Sequence, residues 1–183
     1  MTVLSREALV AAVEAGERFE YFCFWGHTPG SGEVGKWCLS QWWPVLFTVD
    51  GVEYRSAEQF MMAEKARLFG DAEAEQRILA SETPAEAKKL GRAVRDFDQD
   101  TWVARRFDLV VRGNEAKFGQ HAPLREFLVA TGAQVLVEAA PRDVIWGIGL
   151  GASNPRALDP AQWRGHNLLG FALMAVRDRL RVA

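Results

Sequence analysis

A chain of 183 residues with 49% apolar and 25% charged side chains has the size and balance of one globular domain with a real core. A formal net charge of −2 excludes the broad basic surface that sequence-independent nucleic-acid binding needs, while leaving room for a few placed donors around one phosphate. Cys23 and Cys38 form no CxxC pair, which argues against a disulfide framework or structural zinc and for a reducing cytoplasm.

The first residues lack a basic segment followed by an apolar stretch, and no apolar run reaches the length of a membrane span. The expectation is a cytoplasmic protein with no membrane contact. A helix is expected from Ser5 to Ala15 with Gly16 as its stop, part of a helical extension over residues 1–18 of a single domain, 1–183. Phe19 to Trp25 is rich in aromatic residues and reads as a strand. Four glycines and a proline between Gly26 and Gly35 make a loop. Strand-like runs on either side of Asp50-Gly51 predict a hairpin over 45–54.

Helices follow. Ser56 and Gln59 have capping-box spacing, so a helix should start at Ser56 and run to about Phe69, with Gly70 beyond it. Asp71 can cap a second helix through Ala80, Thr83-Pro84-Ala85-Glu86 opens a third that stops at Gly91, and Asp98 can cap a long one through Phe118. Pro123 opens another, ending at Gly132. Gln134 to Glu138 is a short β-like run, and Trp146 to Gly165 reads as loop from its four glycines and two prolines. The last helix, Leu168 to Leu180, carries Leu169, Leu173, Val176 and Leu180 on one stripe. The fold class expected is mainly α, with a small hairpin and short-strand element near the N-terminus.

Several residues could carry chemistry. Glu58 and Lys65 return to one helix face after two turns, about 10 Å apart along the axis. A carboxylate and an amine there could serve acid/base and phosphate roles. On spacing alone, ordinary charges on a solvated helix face are the favoured reading of the pair. Trp102, in the first turn of the long helix, reads as core anchor or stacking platform, and Lys117 suits the negative end of the same helix. Glu138 closes the apolar run Val135-Leu136-Val137, where a carboxylate could have a raised pKa or could bond a helix N-terminus. In Asp143-Val-Ile-Trp146-Gly147-Ile-Gly149 the glycines permit close backbone approach to a ligand, but no dinucleotide-binding helix follows them. Asn167 is placed to cap the last helix. His27, His121 and His166 have no metal-ligand spacing, so neither metal nor cofactor is expected.

The order of these pieces resembles a known family. Asp50-Gly51, Tyr54-Arg-Ser-Ala-Glu58-Gln-Phe60, Lys65-Ala66, Gly91-Arg92, Trp102, Lys117-Phe118, Glu138-Ala139, Asp143, Trp146-Gly147-Ile-Gly149, Trp163, Gly165, Asn167 and Leu169-Gly170 are similar to the motifs of the NADAR, or YbiA-like, superfamily, from about Phe22 onward. The resemblance implies a multihelical fold and N-glycosidic hydrolysis. It implies a small nucleotide-like substrate, phosphoribosyl or ADP-ribosyl. Members act on ribosylaminopyrimidine intermediates of riboflavin biosynthesis, releasing ribose 5-phosphate; others remove ADP-ribose from guanine, with ADP-ribosylated nucleic acid as a partner. Carried over, the catalytic candidates are Glu58, Lys65, Glu138 and Asp143. The substrate-binding candidates are Trp102, Lys117, Trp146, Gly147, Gly149 and Asn167. The alternative is a non-catalytic module that binds ADP-ribose or a nucleotide. Relatives usually have His where this chain has Gln59, glutamines where it has Met62 and Glu64, and Asn-Phe where it has Gln41-Trp42. These departures bear on the substrate more than on the reaction class. The sequence carries no signal of oligomeric state.

Overall fold

The computed structural model describes residues 3–26 and 34–182, so His27 and the middle of the glycine-rich loop lie outside the described residues. The described chain forms two compact units. Unit 1 comprises the residues up to Ser40 together with those from Ala122 onward, and unit 2 is Gln41–His121.

Unit 2 begins with a hairpin, β2 (Phe47–Val49) and β3 (Val52–Tyr54), in which Phe47 faces Tyr54 and Val49 faces Val52. Asp50 and Gly51 both take positive φ, as a tight two-residue turn requires. Four helices follow: α2 (Ala57–Leu68), α3 (Ala72–Leu79), α4 (Pro84–Arg92) and α5 (Gln99–Gly119). The expected caps are in place. Ser56, Asp71, Thr83 and Asp98 each accept a hydrogen bond from the backbone N–H three residues on. The reciprocal half of each capping box is displaced by one residue. Gln59 Oε1 accepts from Arg55 N–H and Glu86 Oε2 from Glu82 N–H, rather than from the caps themselves.

Helix α2 is the centre of unit 2. Every residue from Ala57 to Ala63 is buried, and α3, α4 and α5 all pack on it. A helix enclosed on all sides has no polar face to give to water. The contact with α5 is close: a Cβ on Gly113 would collide with the Phe60 ring, and one on Gly91 of α4 with the Met62 side chain.

Unit 1 contains α1 (Arg6–Glu14), β1 (Tyr21–Phe24), α6 (Ala122–Ala130), β4 (Val135–Glu138) and α7 (Leu168–Val182). Strands β1 and β4 pair in parallel, from Tyr21 opposite Val135 to Phe24 opposite Glu138. This pairing joins segments far apart in sequence, and local patterning does not disclose it. Helix α7 lies on β4 with its expected stripe buried. Gly170 permits the approach, since a Cβ there would strike the Leu136 carbonyl. The segment expected as loop from Trp146 to Gly165 contains two short 3-10 turns, Pro155–Leu158 and Pro160–Gln162, capped by Asn154 and Asp159. Seven helices and four short strands among the described residues match the expected mainly α class.

Two predictions follow from the packing. Gly170→Ala should lower stability by about 1–3 kcal/mol in urea unfolding, because the overpacked methyl meets backbone; an unchanged midpoint would mean that α7 does not rest on β4 as described. Asp71 caps α3 and also binds Arg95 through both its guanidinium and its backbone N–H, at 2.8 and 2.9 Å. Hydrogen bonds from Arg95 and Ala74 hold its carboxyl well below the usual carboxylate range. Its stabilising contribution is therefore complete above the ordinary Asp pKa of about 3.9 and is lost as pH falls through the lower folded value. The Tm gap between wild type and Asp71→Asn should be widest at neutral pH and should close in acid.

Candidate active site

The expected site residues divide between the two units. Glu58, Lys65, Trp102 and Lys117 belong to unit 2; Glu138, Asp143, Trp146, Gly147, Gly149 and Asn167 belong to unit 1.

In unit 2, Glu58 stands in the first turn of α2 with only 3% of its surface exposed. The solvated-face reading of this residue therefore fails. Its backbone N–H donates to the Gln41 carbonyl at 2.9 Å, outside the helix ladder. That bond satisfies one of the amides that a helix start leaves open. A carboxylate in this position meets the positive end of the helix.

Lys65, two turns on, is half-buried. Its Nζ donates to the Gly91 carbonyl at 2.8 Å and lies 4.3 Å from the Phe97 ring centre and 5.8 Å from that of Trp102. Burial pushes the amine's pKa below the ordinary lysine value. Phe97 and Trp102 sit just before the Asp98 cap and four residues after it, the positions of a hydrophobic staple. Phe97 was not among the expected site residues, although that spacing marks it. Its ring is 41% exposed, and its edge meets Phe69. Trp102 is largely buried, so its ring serves packing at least as much as any stacking.

Lys117 is fully enclosed, its ammonium 5.0 Å from the centre of the Phe118 ring. A dipole role at a helix end does not require this degree of burial. A buried ammonium is costly unless it is held by partners.

In unit 1 the six residues gather around the C-terminal end of β4. Asn167, at φ 56°, does not cap α7 with its side chain as expected. Its Nδ2 donates to the Leu136 carbonyl and its Oδ1 accepts from Glu138 N–H, both at 2.9 Å. The amide thus continues the ladder along β4 where a strand would otherwise be needed. Asp143 Oδ1 accepts from Ile145 and Trp146 N–H at 2.9 and 2.8 Å and shapes the turn before the glycines. Gly147 and Gly149 answer to packing. A Cβ on Gly147 would lie 2.9 Å from the Glu138 carbonyl, and Gly149 takes φ 68° while donating its N–H to the Asp143 carbonyl. The Gly149 amide is therefore already used within the fold. Trp146 is half-buried beside this turn.

Gln59 is committed to the fold. Its Nε2 donates among the Ile78, Leu79 and Ser81 carbonyls, at 3.1 to 3.2 Å, while its Oε1 accepts from Arg55. A cavity of about 490 Å³ opens beside this residue, lined by Gln59 together with Leu46, Arg55, Ser56, Ser81 and Thr83 among others. None of the expected site residues lines it.

A family model described as the NADAR domain matches residues 23–181. The chain belongs to the NADAR domain family. It is 42% identical to an N-glycosidase of Acanthamoeba polyphaga mimivirus, over 83% of this chain and 92% of that one. It is 30% identical to the N-glycosidase YbiA of Escherichia coli, covering 83% of this chain and 85% of the relative. A riboflavin biosynthesis protein of Vibrio vulnificus is also 30% identical, over 78% of this chain and 35% of the relative. The NMR structure of Escherichia coli YbiA superposes with a TM-score of 0.72 at 25% identity, covering 91% of this chain and 88% of that one. The family and the fold inferred from the motifs are thus borne out. The enzyme class expected, a hydrolase of N-glycosyl compounds, is the one for which the named N-glycosidases among these relatives are called. No helix among the described residues is long and apolar enough to cross a membrane.

Replacing Gln59 with Leu strands the α3 C-terminal carbonyls and the Arg55 amide together. Unfolding in urea should show a loss of about 1–3 kcal/mol, the cost of leaving such groups buried and unpaired. A variant as stable as wild type would remove Gln59 from the supports of α2.

Proposed function

We propose that this hydrolase of N-glycosyl compounds cleaves the C–N bond between a base and a phosphorylated ribose. The substrate is a ribosylaminopyrimidine phosphate or an ADP-ribosylated guanine, free or within a nucleic acid. The observation that carries this reading is Glu58, a carboxylate enclosed at the start of the central helix of a chain whose relatives are named N-glycosidases.

Cleaving a ribosyl C–N bond builds positive charge on the sugar, and a buried carboxylate is suited to stabilise that charge or to activate the attacking water. Glu58 takes this role. Lys65 has two chemically distinct uses. As an ammonium it binds the substrate phosphate. With its pKa lowered by burial it is also primed to attack C1 of the opened sugar as a neutral amine. In that route the amine forms a Schiff base with the sugar carbon, the base departs with a proton, and water then releases the sugar. The aromatic ring of Trp102 supplies stacking surface for the base, and Lys117 a buried positive charge. Roles for Trp146, Glu138 and Asp143 rest on the family resemblance alone. The reader-module alternative draws no support from relatives named for hydrolysis.

Glu58→Gln removes one charge at constant volume. It should abolish turnover on the accepted substrate while leaving Tm and ligand affinity near wild type; full activity would take Glu58 out of the chemistry. Lys65 separates its two roles by pH. If it acts as the amine, kcat/KM rises with pH through the lowered folded pKa, below the ordinary lysine value of about 10.4, and borohydride traps a sugar adduct on Lys65. If it only binds phosphate, no adduct forms and Lys65→Arg retains most activity.

A further inference from the structure

On α5, one turn before Lys117, stands Asn114, a fully buried carboxamide. Its Nδ2 donates to Gln41 Oε1 at 2.8 Å and to the Val110 carbonyl at 2.9 Å. Both protons of the amide nitrogen are thereby used. The Val110 carbonyl can only accept, so it fixes which end of the carboxamide is nitrogen. The other end, Oδ1, is an oriented, buried acceptor with no hydrogen-bond partner in the protein. Such an atom carries a desolvation penalty, and native proteins keep few of them.

This acceptor is tied to the Glu58 turn. Gln41, which orients Asn114 through its side chain, receives the Glu58 N–H on its main-chain carbonyl. The preceding residue, Gly113, presses against Phe60, two residues beyond Glu58. A shorter side chain at position 41 would not reach Asn114 in the same way.

We propose that Asn114 Oδ1 binds a hydroxyl of the substrate's ribosyl group, and that Gln41 is the positioning residue that holds it in place. The inference rests on the reading of Glu58 as the carboxylate facing the sugar. The chemistry selects the ligand group. A carbonyl oxygen needs a donor, and the donor nearest the anomeric carbon of a ribosyl group is its 2-hydroxyl. The pair then discriminates ribosyl from 2-deoxyribosyl compounds.

The test uses calorimetric titration of the full chain with ribose 5-phosphate and with 2-deoxyribose 5-phosphate. Wild type should prefer the ribose by roughly tenfold, the scale of one well-made hydrogen bond. Asn114→Ala should bring the ratio near one by weakening the ribose alone, an outcome that a purely structural residue would not produce. Should the alanine variant fail to fold, the near-isosteric Asn114→Leu makes the same comparison. If wild type binds both sugars equally, or the variant keeps the preference, the assignment of Asn114 is overturned and the phosphoribosyl reading stands. If wild type binds neither sugar phosphate, the phosphoribosyl reading itself fails and takes this inference with it.

Discussion

An enclosed helix that begins with polar residues must find partners for them inside the protein, and the organisation of unit 2 answers that constraint. Helix α2 is buried on every face through its first two turns, yet opens with Glu58 and Gln59. Gln59 is satisfied by the carbonyls at the end of α3 and by the Arg55 amide. The Glu58 amide is satisfied by Gln41. These bonds lock the first turn in place and hold the Glu58 carboxylate in a low-dielectric setting, where charge on a bound sugar would be felt strongly. The close seats at Gly91 and Gly113 let α4 and α5 approach near enough to exclude water. They also bring the Gly91 carbonyl to Lys65.

Unit 1 meets a similar constraint in another way. Its two-stranded sheet leaves the outer edge of β4 needing partners, and the Asn167 amide supplies an acceptor and a donor there. The turn that carries Trp146 is secured by Asp143 and by the backbone around Ile148, which accepts from both Arg164 and Gly165. Gly147 is required because the Glu138 and Asp143 carbonyls occupy the space that a side chain would take, and Gly149 because its φ is positive and the Arg164 and Val144 side chains crowd it.

Much of this was legible before any coordinates. The four N-caps of unit 2, the Asp50-Gly51 turn and the stripe of α7 are local features, and local patterning specifies them. The motif order identified the family. Features that depend on partners distant in sequence were not legible. The β1–β4 pairing and the Asp71–Arg95 link belong to this group, as does the use of Asn167 as a strand surrogate. Burial of Glu58 was hidden for a related reason: α2 lacks an amphipathic stripe, and its charged residues gave the pattern of a wet face. Asn114 forms part of no motif, and the staple spacing that marks Phe97 does not disclose that its ring lies beside Lys65. Their interest comes from what surrounds them.

The role proposed for the carboxylate buried at the start of α2 is hydrolysis of a base–ribose C–N bond. The most direct test is product analysis by mass spectrometry after incubating the purified protein with a ribosylaminopyrimidine 5′-phosphate and, separately, with an ADP-ribosylated guanosine. Release of ribose 5-phosphate from the first or ADP-ribose from the second, together with the free base, is the result predicted. Intact substrate in both incubations at high protein concentration would contradict the claim.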